Sequence, residues 1–270
     1  MLFVKELKLL ITDMYKMKWY IPIWFIVLIF SVLSIIRQTI PLVGIMGLPQ
    51  TLDLFFSPFT FSFPVSPLFI VFLAFGLIPF FEPLRLIRYK KREIIFLALI
   101  SRIFWIVFIF TILFLFSGLI ISGIYSGNWH NVWLTKSGQP YQMFGNTINL
   151  EKYFETKWMI TRYILTSLVI FNMLGVFVSI LYVSIQRYIY AIIITFSIIM
   201  LDKTLEILFK ISLINQKISL EMNQWITPGT FQETICWFGG IYIIFSTILY
   251  ILIEKKDYLS KSKTNNEKNY

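Results

Sequence analysis

Residues 103–125 read IFWIVFIFTILFLFSGLIISGIY, without one charged side chain. A helix needs about 20 apolar residues to cross the ~30 Å hydrocarbon core of a bilayer. Backbone in lipid must satisfy its own hydrogen bonds, so a run of this kind becomes a helix. Five more uncharged stretches flank it: 19–36 between Lys18 and Arg37, 54–81 between Asp53 and Glu82, 163–186 between Arg162 and Arg187, 188–201 before Asp202, and 234–253 between Glu233 and Glu254. The pattern predicts an all-α, polytopic membrane protein with six transmembrane helices.

Composition agrees. The chain is 57% hydrophobic and 14% charged, where soluble proteins carry about 25% charge. The longest polar segments, 126–162 and 202–233, are too short for a separate domain of about 100 residues. Residues 1–257 therefore read as one transmembrane domain, with 258–270 as a polar tail. The net charge of +10 is concentrated at the N-terminus, after the second stretch and in the tail. With the N-terminus in the cytoplasm, two-thirds of the 24 lysines and arginines fall on the cytoplasmic side, as the positive-inside rule requires. Both termini are expected there. Such charges act as topology determinants beside anionic lipid and do not call for nucleic acid.

Cys236 is the only cysteine and His130 the only histidine. No intrachain disulfide and no metal site are expected. Lys5, Lys8, Lys16 and Lys18 precede the first stretch and no small-residue cleavage site follows it, so it reads as a retained anchor. Trp129, Trp133, Trp158, Trp225 and Trp237 fall near outer boundaries, and Trp19 and Trp105 near inner ones, as aromatic belts do. Trp24 lies deeper and is expected to pack on another helix.

The connecting pieces carry detail. In 1–18, Phe3, Leu7, Leu10, Ile11, Met14 and Tyr15 recur at helical spacing against Lys5, Lys8, Thr12 and Lys16. This predicts an amphipathic helix, lying in the interface or packed on a partner. Pro58, Pro64, Pro67 and Pro79 punctuate the second stretch, which predicts an outer or re-entrant approach over 55–67 and a short membrane helix over 68–81. The fifth stretch, 188–201, reaches only about 21 Å. Its helical pattern continues through Asp202, Glu206 and Lys210, on one face. These charges are either solvated among headgroups or turned to a polar cavity in the bundle. Gly118 with Ser122, Gly123 with Gly127, Gly175 with Ser179, and Gly239-Gly240 predict close helix contacts. Asn172 is expected to hydrogen-bond across helices, or to touch a substrate.

Several chemistries are missing. There is no glycine-rich Lys-Ser/Thr loop for nucleotide phosphates, no Gly-x-Ser-x-Gly elbow, and no His/Glu pair at helical spacing. An enzyme is not expected, and active transport would draw on a partner or an ion gradient.

The segment 82–102 is the most informative polar piece. Glu82-Pro83 is followed by Arg85, Arg88, Lys90, Lys91, Arg92 and Glu93, then by apolar 94–100 and Ser101-Arg102. It predicts an amphipathic helix over 84–100 along the inner face, turning at Ser101-Arg102 into the third span. Such a helix is placed to dock on a soluble partner, or serves as a topology anchor alone.

With the N-terminal elbow, six spans, Glu82 closing span two, the charged helix before span three and the outer segment before span six, the chain resembles the permease subunits of type II ATP-binding-cassette exporters. The resemblance is one of layout and covers most of the chain. The Gly-Thr and Leu-Leu residues often found in that family's loop are absent, and 84–92 is basic instead. The resemblance implies coupling through Glu82, Arg85, Arg88, Lys90, Lys91, Arg92, Glu93 and Arg102 to an ATPase subunit. That subunit would bind ATP, with no cofactor in this chain. It also implies a second permease copy or paralogue, a bacterial inner membrane, and export of a hydrophobic or amphipathic drug, lipid or antimicrobial peptide. Asn172, Asp202 and Glu206 are candidates for the translocation path. One alternative is an ion-coupled secondary transporter, with spans two and five as paired broken helices and Asp202 and Glu206 as coupling groups. Another is a non-transporting immunity or assembly protein.

Overall fold

A computed structural model describes residues 2–43, 47–89, 91–145, 147, 149–218, 225–227 and 229–256. Lys90, the tail 258–270 and part of 202–233 lie outside the described residues. The uncharged stretches are helical over most of their length. The order is α1 (Leu2–Lys16), α2 (Tyr20–Val43), α3 (Leu48–Phe55), α4 (Pro58–Thr60), a π-helical turn (Phe61–Val65), α5 (Ser66–Phe80), α6 (Pro83–Leu86) and α7 (Arg92–Ser126). After a 3-10 turn at Val132–Leu134 come α8 (Gln139–Phe144), α9 (Leu150–Phe154), α10 (Thr156–Ile185), α11 (Tyr188–Phe209), α12 (Asn215–Ile218) and α13 (Thr230–Lys255). No strand occurs among the described residues. Among them, 5 helical stretches are long and apolar enough to cross a membrane: Tyr20–Arg37, Pro58–Phe80, Arg92–Ser126, Leu150–Ile185 and Thr230–Lys255. The expected fifth span lies in α11, whose uncharged part ends at Leu201.

α7 is the hub, packed by α1, α2, α3, α5, α10 and α13. At its middle Phe110 meets Phe69 at 5.2 Å, Phe171 at 5.0 Å and Phe114 at 5.6 Å, centroid to centroid. Glycine brings the helices close: a Cβ on Gly118 would stand 2.0 Å from the Phe55 ring, and one on Gly175 would stand 2.6 Å from Ile103. A Cβ on Gly239 or Gly240 would meet nothing within 4 Å, so that pair makes no close helix contact among the described residues. Trp24 packs as expected, 4.5 Å from Phe72, and its indole N–H donates to the Leu68 carbonyl at 3.0 Å.

Three details differ from the sequence expectation. First, α7 is one unbroken helix of 35 residues, with no turn at Ser101-Arg102. At 1.5 Å per residue it is about 52 Å long, longer than the ~30 Å hydrocarbon core of a bilayer. Arg102 stays helical because acids on α1 neutralise it, and its charge needs no exit to water. Second, the prolines shift the second span rather than shorten it. Pro58 and Pro67 stand in the first turns of α4 and α5, where the missing N–H costs nothing. The break is confined to Phe63, extended at φ −152° before Pro64, and the candidate span runs over Pro58–Phe80. Third, Asn172 donates to Leu168 O at 2.7 Å in its own helix, not to a neighbouring one.

The bundle has two distinct ends. At the near end lie α1, α6, the start of α7 and the end of α13, where the Arg92 guanidinium reaches the Glu254 carbonyl. At the far end Asn131 ties the segment after α7 to the start of α10, donating to Phe154 O at 2.8 Å and Thr156 Oγ1 at 3.0 Å.

Candidate functional site: a buried ion cluster at the near end

Glu6 and Asp13 are seven residues apart, two helical turns, and so share one face of α1. Leu10 lies between them, and all three are buried. That face turns into the bundle, while Phe3, Ile11 and Tyr15 are exposed. The division of α1 into apolar and basic faces thus leaves out its acidic, inward face.

Two arginines meet these acids. Arg85, on α6, forms a bidentate pair with Asp13, Nη1 to Oδ2 at 2.5 Å and Nη2 to Oδ1 at 2.7 Å. Arg102, on α7, is 0% exposed. Its Nη2 pairs with Asp13 Oδ2, its Nη1 lies 3.6 Å from Glu6 Oε2, and its Nε donates to Gly76 O on α5 at 2.7 Å. The Tyr89 hydroxyl donates to Glu6 Oε1 at 2.6 Å. Two carboxylates thus balance two guanidinium groups, as burial in low dielectric demands. Glu6 Oε2 and Arg102 Nη1 have no hydrogen bond, and they face each other.

The electrostatics follow from this geometry. Burial alone would raise the Asp13 carboxyl, but hydrogen bonds and charge from Arg85 and Arg102 outweigh it and hold the pKa below its ordinary 3.8. The bond to Asp13 raises Arg85 despite burial. Burial first, then Glu6, pushes Tyr89 up, so it remains a neutral donor. The cluster has no nucleophile, and among the described residues no group of three or more His, Cys, Asp or Glu could hold a metal ion. Its chemistry is that of a tie. It links the loop after α5 to α1, to α7 and, through the Gly76 carbonyl, to α5.

The predicted site residues separate into distinct groups. Arg85 and Arg102 belong to the cluster. Glu82, Arg88, Lys91, Arg92 and Glu93 are exposed beside it. Lys91, Arg92 and Glu93 also line a cleft of about 460 Å³ with Tyr250, Ile253 and Glu254 of α13. Asn172, Asp202 and Glu206 share no hydrogen-bond or ion-pair partner among the described residues. Buried Asp202 accepts from Ser212 Oγ at 2.7 Å, Asn215 Nδ2 at 2.9 Å, and the backbone N–H groups of Leu213 at 2.7 Å and Asn215 at 2.9 Å. Asn215 in turn accepts from Ser62 Oγ at 2.8 Å. Asp202 therefore organises the turn after α11. Glu206 pairs with Lys203 at 2.8 Å.

Sequence reasoning missed Glu6, Asp13 and Tyr89. The available signal was two acids seven apart on a basic, apolar helix, in a chain with an arginine at the head of a long apolar run.

Comparison with protein-family models, with curated proteins and with solved structures finds no match to this chain.

Proposed function

We propose that this chain is the membrane permease subunit of an ATP-driven exporter of a hydrophobic or amphipathic substrate, energised by a separate ATP-binding subunit. The observation that carries the proposal is the near-end linkage. Arg85 grips Asp13, Asp13 grips Arg102, and Arg102 holds Gly76 O, while Arg88, Lys91 and Arg92 remain exposed on the same loop. A soluble ATPase pulling on the exposed basic residues would move α1, α5 and α7 together. A loop without such ties could bend without moving the helices.

The proposal includes a sixth crossing by α11 and places both termini in the cytoplasm. Two hydrogen bonds support the crossing: Tyr188, starting α11, donates to Ile70 O at 3.2 Å, and Asn215, just beyond α11, pairs with Ser62. α11 thus packs along the part of the second span between Ile70 and Ser62. A second permease copy is also part of the proposal. Its support is α13, which leaves Trp237, Ile243, Ile244, Ile248 and Ile251 exposed, beside open space at Gly239 and Gly240. The ion-coupled alternative draws on Asp202, whose carboxylate is already occupied by loop donors.

The test is co-purification with an ATP-binding-cassette ATPase of the same cell, followed by Arg88→Glu with Lys91→Glu. The expected result is a stable complex whose substrate-stimulated ATP hydrolysis falls to the basal rate in the double variant. Failure to form any complex, or stimulation unaffected by the reversal, refutes the proposal.

A further inference from the structure

At the far end, Arg162 on α10 sits among three aromatic rings. Its guanidinium carbon lies 5.0 Å from the centroid of Trp158, 4.9 Å from Trp225 and 5.2 Å from Phe231. No carboxylate pairs with it among the described residues, and its Nε is buried without a hydrogen-bond partner. Such rings attract the cation through their faces but offer nothing to its in-plane N–H groups. Two further buried polar groups border the same Trp225 indole. The Tyr163 ring is 5.4 Å from it and the Trp133 ring 5.8 Å, and both the Tyr163 hydroxyl and the Trp133 Nε1 lack partners. Arg162 Nε–H, Tyr163 O–H and Trp133 N–H can each donate a hydrogen bond. Among the described residues these three donors have no acceptor, and the guanidinium has no paired carboxylate. Buried donors without acceptors are rare in native structures and point to a missing partner.

We infer that this nest binds a phosphate group, that of a phospholipid headgroup. A phosphate supplies both the charge and several acceptor oxygens, and a guanidinium matches it in a two-point geometry. Its place along the chain selects the lipid. Arg162 immediately precedes the uncharged run 163–186, and aromatic residues at such a boundary sit at headgroup level. The nest opens outward, since Arg162 is partly exposed and Trp158 exposed. Lipid phosphates line both faces of a bilayer, so the inference does not depend on which way the protein is inserted. It is also independent of the exporter proposal.

The test uses the purified full-length protein in detergent, with bound molecules counted by native mass spectrometry. Phosphatidylglycerol, diacylglycerol of the same chains and inorganic phosphate are titrated separately. Phosphatidylglycerol is expected to bind and diacylglycerol not to. Arg162→Gln should weaken phosphatidylglycerol by about tenfold. Arg162→Lys should fall between, because it keeps the charge and loses the planar fork. Lys136→Gln, an exposed cation of the far-end segment, should change nothing. Equal binding of diacylglycerol, or unchanged binding by Arg162→Gln at unchanged helical circular dichroism, overturns the site. Should Arg162→Gln misfold, Arg162→Lys decides alone, and wild-type affinity there overturns it. Inorganic phosphate binding as tightly as the lipid overturns the headgroup assignment in favour of a soluble phosphate.

Discussion

Asp13→Asn is the most direct perturbation of the near-end cluster. Asp13 is 2% exposed and accepts from both Arg85 and Arg102. The amide keeps the shape and removes the charge. Arg85, 14% exposed at its side chain, can turn partly to water. Arg102 cannot, and retains only Glu6 at 3.6 Å. Breaking a buried pair from one side costs about 3–5 kcal/mol, and the surviving Glu6 contact places Asp13→Asn near the lower end, about 3 kcal/mol. In a chain of this size that lowers the melting temperature by roughly 6–12 °C. The assay is thermal unfolding of the purified protein in detergent, followed by circular dichroism. Asp13→Asn combined with Arg102→Met should destabilise by at least about 1.5 kcal/mol less than the sum of the single effects, since the double variant removes the stranded charge as well. The pH dependence has a definite sign. A carboxyl held below 3.8 in the folded state stabilises fully above that value and loses its contribution as pH falls through the depressed folded pKa. The gap between wild type and Asp13→Asn should stay constant from pH 7 to about 5 and shrink only below 3.8. A melting temperature within 1 °C of wild type, strict additivity, or a gap that closes near neutrality would refute the account of the cluster.

Three further outcomes follow from other contacts. Tyr89→Phe removes the 2.6 Å bond to Glu6 and should cost about 1.5–3 kcal/mol, the range for a hydrogen bond to a charged group, read in the same melts. Gly118→Ala drives a Cβ into the buried Phe55 ring and should cost about 1–3 kcal/mol, whereas Gly239→Ala meets open space and should be neutral or stabilising by up to about 1 kcal/mol through helix propensity. Asp202→Ala strands the N–H groups of Leu213 and Asn215, and limited proteolysis should then cut within 211–218 faster than in wild type, while cleavage elsewhere is unchanged.

Much of the helical framework was legible because lipid leaves a backbone few choices. A charge-free run of sufficient length becomes a helix, and α7, α10 and α13 each contain one; α13 ends close to the charges that bound its run, while α7 and α10 start well before Arg102 and Arg162. Legibility failed where a charge was answered by a charge from far along the chain. Arg102 reads as the end of a membrane segment because an isolated arginine there would be costly. Its compensation comes from Asp13 and Glu6, and sequence distance conceals that pairing. The prolines were legible in part: the helix expected over 68–81 is α5, with Pro67 in its first turn, while Pro58, in the first turn of α4, stands within the candidate span and not in an approach ahead of it. Asp202 and Glu206 share a helix face, which suggested a common polar surface. The chain folding back after α11 gives Asp202 a loop to organise and leaves Glu206 to Lys203.

Hydrophobicity and charge placement, which act locally and add along the chain, determine that this is an all-helical protein with helices fit for a membrane, and they mark 82–102 as its principal charged segment. Which charges become neighbours is decided only when helices pack. Burial in low dielectric makes an unpaired ion too costly, so α1 turns its two acids inward to Arg85 and Arg102. The same packing encloses Arg162 in aromatic rings, with no carboxylate paired to it among the described residues. Periodicity can place a residue on a face, but the dielectric and the partner that the face meets belong to the tertiary structure.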